Sequence, residues 1–213
     1  MQKIGFCDNF SLTQAVLNGT KTMTRRLEKG LENLEEGNFC YSKHKNGILL
    51  YGEKGSVIET IKTRYKVGEV VAVAQSYSTI LKELEDPRNF VCMEHWESAS
   101  AKRAHYAELV DFPGWNNKLF VSPSEMIHQI QIMDVSIERL KAISDDDCLK
   151  EGVFDSKVGY NRFGFRDKHC DHNWYYPTAR AAFAALINRP GVGRKGLWQS
   201  NPWVVVYTFK LIK

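Results

Sequence analysis

The sequence lacks the features that mark membrane-spanning, secreted and disulfide-rich proteins. No apolar run in the 213 residues approaches the ~20 residues that a transmembrane helix needs. Residues 1–6 contain no apolar segment followed by a small-residue cleavage site, so secretion is not expected. The five cysteines are scattered without paired spacing, which favours reduced thiols over a disulfide framework. The sequence therefore predicts a cytoplasmic protein without a membrane segment.

The chain also contains no internal repeat and no low-complexity tract, and 43% of its residues are hydrophobic. This length and composition suffice to bury the core of one elaborated domain, so we expect a single domain over residues 1–213. The charge is unevenly distributed. The net charge is +4, but residues 157–195 carry 8 Lys or Arg against 2 acids, whereas residues 78–151 carry 14 acids against 8 Lys or Arg. This pattern indicates either a face suited to phosphates or solvated loops of differing charge.

Hydrophobic spacing and turn residues predict short helices around a mainly β core. The predicted strands are 69–74, 129–140 (with a bulge near Asp134) and 202–211, and a hairpin joins 38–42 to 48–51. The predicted helices are 11–18, 98–110, 144–151 and 179–188. Ser144 is expected to cap the third of these helices, and Gly152 to end it. The mixture favours an α+β fold built on a small mixed barrel over a layered parallel sheet.

The segment from Gln14 to Arg26 is the most distinctive in the sequence. A short amphipathic helix is followed by Gly19, and a glycine at this point favours the left-handed turn that ends a helix. Cationic and hydroxyl side chains then follow within six residues, namely Lys21, Thr22, Thr24, Arg25 and Arg26. Beside a tight turn, where backbone N–H groups also point outward, such side chains suit an anion, a phosphate or a polarised carbonyl.

The run Gly19-Thr-Lys-Thr-Met-Thr-Arg-Arg26 resembles the glycine-x-lysine-x-x-threonine-x-arginine signature of the ASCH domains, a branch of the PUA-like fold. Further segments resemble other blocks of that family in the expected order: 10–17, 67–77, 143–152 and 201–209. Together the blocks cover less than half of the chain. The resemblance implies a PUA-like mixed β-barrel with short helices at its opening and with insertions near 28–66, 78–126 and 153–196.

One branch of the ASCH family removes the acetyl group from N4-acetylcytidine. Carried over position by position, the resemblance implies catalytic roles for Lys21, Thr24 and Glu151. A threonine hydroxyl becomes nucleophilic when a base such as a buried, neutral lysine removes its proton, and a carboxylate can orient the pair or handle the leaving amine's proton. In a regular strand Lys21 and Thr24 would point to opposite faces, so their convergence on one cleft requires a turn or bulge after Gly19.

The alternative that we favour is binding without turnover, because PUA-like barrels commonly bind RNA. In this interpretation the protein binds RNA or a modified nucleoside or nucleotide in a basic pocket beside Gly19, where Lys21, Arg25 and Arg26 contact phosphates. Amide and stacking contacts to a base would come from Gln75, Tyr77, Asn201 and Trp203. The alternative for Tyr77 and Trp203 is core packing, which is the commoner fate of aromatic residues on strands.

Residues 158–176 mix cations with six aromatic side chains. This composition is typical of a surface that stacks single-stranded nucleic acid, and also of a long surface loop anchored by aromatic residues. His169, Cys170 and His172, together with Cys148, invite a metal interpretation, but their spacing matches no standard zinc arrangement. The sequence therefore predicts neither a metal nor a cofactor.

A third hypothesis is an interaction or regulatory domain whose pocket binds no nucleic acid. Such a domain has no need to keep Lys21, Thr24 and Trp203 accessible in one pocket. The joint accessibility of these three side chains therefore distinguishes this hypothesis from the first two.

Overall fold

The computed structural model describes residues 1–31, 34, 40–44, 47–51, 57–86, 93–160, 162–170 and 173–212. Contacts divide the chain into two compact units: a first unit of Met1–Phe6 with Val70–Ile130, and a second unit of Cys7–Glu69 with Gln131–Ile212. Both units combine helices with strands, as the predicted α+β class requires. Closure of the strands into a barrel, and the organisation of the chain as one domain, stay predictions.

The described residues form the following elements in chain order. The strands are β1 (Gln2–Ile4), β2 (Met23–Arg26), β3 (Cys40–His44), β4 (Gly47–Tyr51), β5 (Val57–Ile61), β6 (Val70–Val73), β7 (Gln129–Arg139), β8 (Phe154–Asp155), β9 (Phe163–Phe165), β10 (Trp174–Tyr176) and β11 (Trp203–Leu211). The α-helices are α1 (Leu12–Leu17), α2 (Tyr77–Glu85), α3 (Met93–Ala107), α4 (Asp145–Lys150), α5 (Ala179–Ile187) and α6 (Leu197–Ser200). Within these described stretches, no helix combines the length and the apolarity that crossing a membrane requires.

The first unit contains the parallel pair β1 and β6, in which Ile4 lies opposite Val73. Its core includes two alanines in and just after β6 together with larger residues of α2, α3 and the loop 121–126, namely Ala72, Ala74, Ile80, Leu84, Tyr106, Val121 and Met126. The strand predicted over 69–74 is confirmed. The block that resembles a strand through Tyr77 extends too far, because the Ser76 hydroxyl accepts a hydrogen bond from the Thr79 N–H and starts α2.

The second unit contains neighbouring strands in the order β7, β11 and β2. Strands β11 and β2 are antiparallel, and Tyr207 lies opposite Thr24. Along β7 the buried positions change from even to odd numbers between Ile132 and Val135. An extra residue in a strand shifts the alternation in this way, so the change agrees with the irregularity predicted near Asp134.

Two smaller antiparallel sheets also belong to the second unit. Strands β3, β4 and β5 form one of them and include the predicted hairpin; its residues 38–39 and 45–46 lie outside the described part of the chain. Strands β8, β9 and β10 form the other sheet, which packs against α5. Strands β9 and β10 lie in residues 158–176, the segment whose composition left two interpretations open, a stacking surface and an anchored loop.

Candidate functional site

The turn after α1 positions the Gly19 motif. Gly19 adopts a left-handed φ of 75°, and its N–H donates to the carbonyl of Val16 at 3.0 Å. The Ala15 carbonyl accepts two hydrogen bonds, from the Thr20 hydroxyl at 3.1 Å and from the Lys21 N–H at 2.8 Å. These bonds satisfy the last carbonyls of α1 and turn the chain back across the end of the helix. The chain is therefore irregular between Gly19 and the start of β2.

A second glycine turn positions Glu151. Ser144 caps α4, as predicted, by accepting a hydrogen bond from the Asp147 N–H, and Gly152 ends the helix with a φ of 104°. The Gly152 N–H donates to the Leu149 carbonyl at 3.0 Å. The Val153 N–H donates to the Cys148 carbonyl at 3.2 Å. This is the double hydrogen bond of a Schellman motif, which glycine favours because it lacks a Cβ atom.

The two turns bring Lys21 and Glu151 together. The Lys21 Nζ donates to the Glu151 Oε2 at 2.6 Å, to the Glu151 carbonyl at 2.7 Å and to the Met23 carbonyl at 2.7 Å. The two side chains are buried, since Lys21 is only 2% exposed and Glu151 only 4%. Burial lowers the pKa of Lys21, and the neighbouring Glu151 carboxylate counteracts part of that shift.

Arg25 extends this pair into an ion cluster. Its guanidinium donates to the carboxylates of Glu138 at 2.8 Å, Glu151 at 3.1 Å and Asp147 at 3.3 Å. Burial alone would lower the pKa of Arg25, but Glu151 and Glu138 outweigh burial and raise the pKa. Lys150 adds a further contact to Asp147 at 3.0 Å. We call the cations Lys21, Arg25 and Lys150 with the anions Glu138, Asp147 and Glu151 the Lys21 ion cluster; its formal charges cancel.

Thr24 lies on the other face of β2. Side chains alternate along a strand, and Arg25 points toward Glu151, so Thr24 points away from the Lys21 ion cluster. Its partner across the sheet, Tyr207, donates its hydroxyl to Glu28 at 2.9 Å. In the described part of the chain, no hydrogen bond joins the Thr24 hydroxyl to Lys21 or Glu151. Of the predicted trio, Lys21 and Glu151 therefore lie together, and Thr24 lies apart from them.

Arg25 and Arg26 differ in their surroundings. Arg25 is buried and bonded to carboxylates, so the phosphate contact that the sequence suggested for it is already taken by groups of the protein. Arg26 shares the face of Thr24 and is half-buried. Burial lowers the pKa of its guanidinium, and Tyr65 counteracts that shift.

Asn201 and Trp203 have structural contacts in the second unit. Asn201 adopts a left-handed φ of 44°; its side-chain oxygen accepts from the Lys141 N–H at 2.8 Å, and its carbonyl accepts from Arg139 at 3.2 Å. The Arg139 guanidinium also lies over the half-buried Trp203 ring, 4.6 Å from its centre. These contacts fix the chain between α6 and β11.

Gln75 and Tyr77 belong to the first unit. Gln75 is only 1% exposed, and its amide donates to the Glu83 carboxylate at 2.8 Å. The same carboxylate lies 2.6 Å from the His128 ring nitrogen Nε2. The half-buried Tyr77 ring packs 5.7 Å from the ring of Tyr106. Core packing, which the sequence left open for Tyr77, is therefore the role that the contacts show.

A cavity of about 170 Å³ lies beside the Gly19 turn, within the second unit. We call it the α1 cavity, because α1 and its two ends supply most of the lining, with Phe10 and Phe154 as its aromatic residues. Gly152 forms part of the boundary. A Cβ atom there would lie 2.8 Å from Leu12 and 3.7 Å from the Lys21 side chain, so Gly152 is a near neighbour of the buried lysine.

The polar lining of the α1 cavity was missed by the sequence-based predictions. Two hydroxyls, two amides and one cation contribute, from Ser11, Thr20, Gln14, Asn18 and Arg166. Gln14 and Asn18 are one helical turn apart, a spacing that places both on one face of α1. That spacing was visible in the sequence, within the segment from Gln14 to Arg26. The contribution of Arg166 could not be predicted, because Arg166 follows β9, more than 140 residues after α1.

The cysteines and histidines do not form a metal site in the described part of the chain, where no group of three or more His, Cys, Asp or Glu side chains is placed to hold an ion. Asp171 and His172 lie outside the described residues. Cys148 is fully buried, and burial raises the pKa of its thiol to about 12.

No protein-family model, no curated protein and no solved structure matches this chain. Membership of the ASCH family therefore stays a prediction from the sequence blocks. The functional proposal below is based on the geometry of the α1 cavity and the Lys21 ion cluster.

Proposed function

We propose that this protein binds a single nucleoside or nucleotide unit in the α1 cavity. The observation that carries this proposal is the lining of the cavity, in which the aromatic residues Phe10 and Phe154 lie with amide and hydroxyl groups and the cation Arg166. Flat heterocycles with polar edges are recognised by this combination of stacking and hydrogen bonding. The volume of about 170 Å³ is below the ~300 Å³ at which pockets for drug-sized ligands begin, which suits one base.

Different polar groups of the cavity suit different parts of a nucleotide: the amides suit the base, and Arg166 suits a phosphate or sugar oxygen. The Asn18 side-chain oxygen already accepts hydrogen bonds from Thr20, so its amide nitrogen is the group offered to a ligand. The Gln14 amide has both a donor and an acceptor for the edge of a base. Arg166 is exposed and suits a phosphate or sugar oxygen, a role that the paired Lys21 and Arg25 do not have.

Phe154→Ala is expected to weaken nucleoside binding about tenfold, because stacking on an aromatic ring contributes ~1–3 kcal/mol per base. The measurement is isothermal titration calorimetry with adenosine, cytidine, guanosine, uridine and N4-acetylcytidine. Gln14→Leu is expected to reduce the difference in affinity among these five nucleosides, since it removes the hydrogen-bonding edge and keeps the volume.

Phe120→Ala is the matched control for Phe154→Ala. Phe120 is 66% exposed and is not among the residues that line the α1 cavity, so its removal should leave nucleoside affinity unchanged. The proposal is wrong if the wild-type protein binds none of the five nucleosides at millimolar concentration. An equal loss of affinity in Phe120→Ala and Phe154→Ala would also contradict it.

Deacetylation is the second candidate function, and the burial of Lys21 beside Glu151 is the observation in its favour, because burial lowers the pKa of the lysine. The Lys21 Nζ donates three hydrogen bonds and Thr24 lies on the other face of β2, so this function requires Lys21 to lose a proton and Thr24 to move within its reach. The test is acetate release from N4-acetylcytidine. If Lys21, Thr24 and Glu151 act together, the wild-type protein releases acetate and Thr24→Val abolishes the release without changing nucleoside affinity. Equal release by both proteins, or release by neither, would exclude this trio.

The third hypothesis, an interaction domain, predicted that Lys21, Thr24 and Trp203 need not be accessible together. Lys21 and Thr24 are buried and Trp203 is half-buried beneath Arg139, so these three do not form an open pocket, and by this criterion the interaction domain is favoured over a pocket built on these three side chains. The proposal of a ligand site is therefore supported by the lining of the α1 cavity and not by these three side chains.

A further inference from the structure

The sheet formed by β8, β9 and β10 borders the α1 cavity, and we call the face that carries Phe154 its outer face. The register places Phe154, Gly164 and Tyr175 side by side on this face. The rings of Phe154 and Tyr175 are in edge-to-face contact, with their centres 5.9 Å apart. Since Phe154 also lines the cavity, its ring connects the cavity to the outer face of the sheet.

The opposite face of the same sheet supplies the packing. Phe165 is fully buried, lies edge-to-face with Phe10 at 5.8 Å and stacks with Tyr176 at 6.0 Å. The Arg189 guanidinium lies over Trp174 at 4.9 Å. The inner face therefore anchors the sheet to the second unit, and the outer face leaves the Tyr175 ring 43% exposed.

Two exposed cations, Arg166 and Lys168, follow strand β9 of this sheet. Residues 154–176 carry 4 Lys or Arg against 3 acids, and the wider segment 157–195 carries 8 against 2. Arg162 forms an ion pair with Asp155 at 3.0 Å, but Arg166 and Lys168 are exposed, and no described ion pair involves them. Arg166 also lines the cavity, so it lies where the cavity meets the sheet. An exposed aromatic ring beside cations is the arrangement that binds unpaired bases and their phosphates.

We infer that the outer face of β8–β10 binds the nucleotide next to the one held in the α1 cavity, so that the ligand is a single-stranded nucleic acid. This inference rests on the proposed function. Tyr175 stacks on the neighbouring base, and Arg166 contacts the phosphate that joins the two units. Gly164 lies between the rings of Phe154 and Tyr175 without a side chain of its own. A duplex cannot bind in this way, because its base faces are covered by their neighbours.

The test compares nucleosides with dinucleotides on the full chain. The probes are adenosine, cytidine, guanosine and uridine, the four homodinucleotides made from them, and the corresponding deoxy dinucleotides. At least one dinucleotide is expected to bind about tenfold more tightly than its nucleoside, because it adds one stacked base. Tyr175→Ala should remove this gain, so that this variant binds a dinucleotide no more tightly than its nucleoside, whereas Tyr175→Phe should keep the gain. Comparison of the ribo and deoxy series then assigns the ligand to RNA or DNA.

Two further variants control the experiment. Tyr160→Ala removes an aromatic side chain that is 85% exposed outside the strands, and it should leave the gain intact. Arg166→Ala should weaken dinucleotide binding and reduce its dependence on salt, because a phosphate contact releases counterions. Nucleoside binding with no gain from any dinucleotide would overturn this inference alone, as would a gain that Tyr175→Ala leaves intact. Absence of binding to every probe would instead overturn the proposed function.

Discussion

Lys21→Met is expected to lower the free energy of unfolding by about 3–5 kcal/mol, because it leaves a buried carboxylate without its nearest cation. Glu151 is only 4% exposed, and its Oε2 atom accepts the hydrogen bond from Lys21 at 2.6 Å. Urea unfolding followed by circular dichroism measures the change. The double variant Lys21→Met/Glu151→Gln should recover part of the loss, since it removes both charges.

The pH dependence gives Lys21→Met a second signature. Burial lowers the pKa of Lys21 in the folded protein, so the unfolded chain binds more protons between that pKa and the unfolded value of about 10.4. The contribution of Lys21 to stability therefore increases as pH rises through this window. The difference in stability between wild type and Lys21→Met should increase over the same window. Identical pH profiles, or additive losses in the double variant, would show that Lys21 and Glu151 do not interact as the structure indicates.

Arg25→Ala is expected to destabilise the protein by at least as much as Lys21→Met, about 3–5 kcal/mol or more. Its guanidinium holds three carboxylates at 2.8–3.3 Å, whereas Lys21 holds one. Arg25→Lys should restore only part of the stability, because an ammonium group lacks the planar fork that reaches several carboxylates. The exposed Arg194 supplies the control, and Arg194→Ala should leave the unfolding midpoint unchanged.

Acidification provides the readout that separates an electrostatic role of Arg25 from loss of packing. Burial by itself would raise the pKa of Asp147, but Lys150 and then Arg25 outweigh that effect and lower the pKa. A lowered carboxylate pKa stabilises the fold above about pH 4, and this stabilisation is lost as pH falls through the folded pKa. Arg25→Ala should therefore lose less stability on acidification than the wild type. Equal acid sensitivity, with normal stability at pH 7, would contradict the role of Arg25 in the Lys21 ion cluster.

Local features of the fold were predictable from the sequence where neighbouring residues determine them. The end of α4 is an example: Ser144 supplies the hydroxyl that caps the first turn, and Gly152 supplies the left-handed conformation that ends the helix. The strand β7 is another, since its alternation is visible over 129–139 and its irregularity changes which positions are buried. In both cases the signal lies within about a dozen residues.

The site was only partly predictable. The importance of Gly19, Lys21 and Glu151 could be proposed from the sequence, but the residue types alone also suggested that Arg25 faces a phosphate. The structure instead places Arg25 among carboxylates of β7 and α4. Arg25 is more than 100 residues from these carboxylates in the sequence. Which charges pair over such a distance depends on which strand faces are buried, and amino-acid composition does not predict this.

Local sequence therefore determined where α4 begins and ends, how the buried positions alternate along β7, and that a glycine turn beside α1 carries a cluster of polar groups. Only the tertiary structure decided which of these groups are accessible. Packing of β2 against α4 buries Lys21 and Arg25, so carboxylates neutralise them, because an unpaired charge in the interior is costly. The same packing leaves the α1 cavity beside them, where Gln14 meets Phe154 and Arg166 from distant parts of the chain.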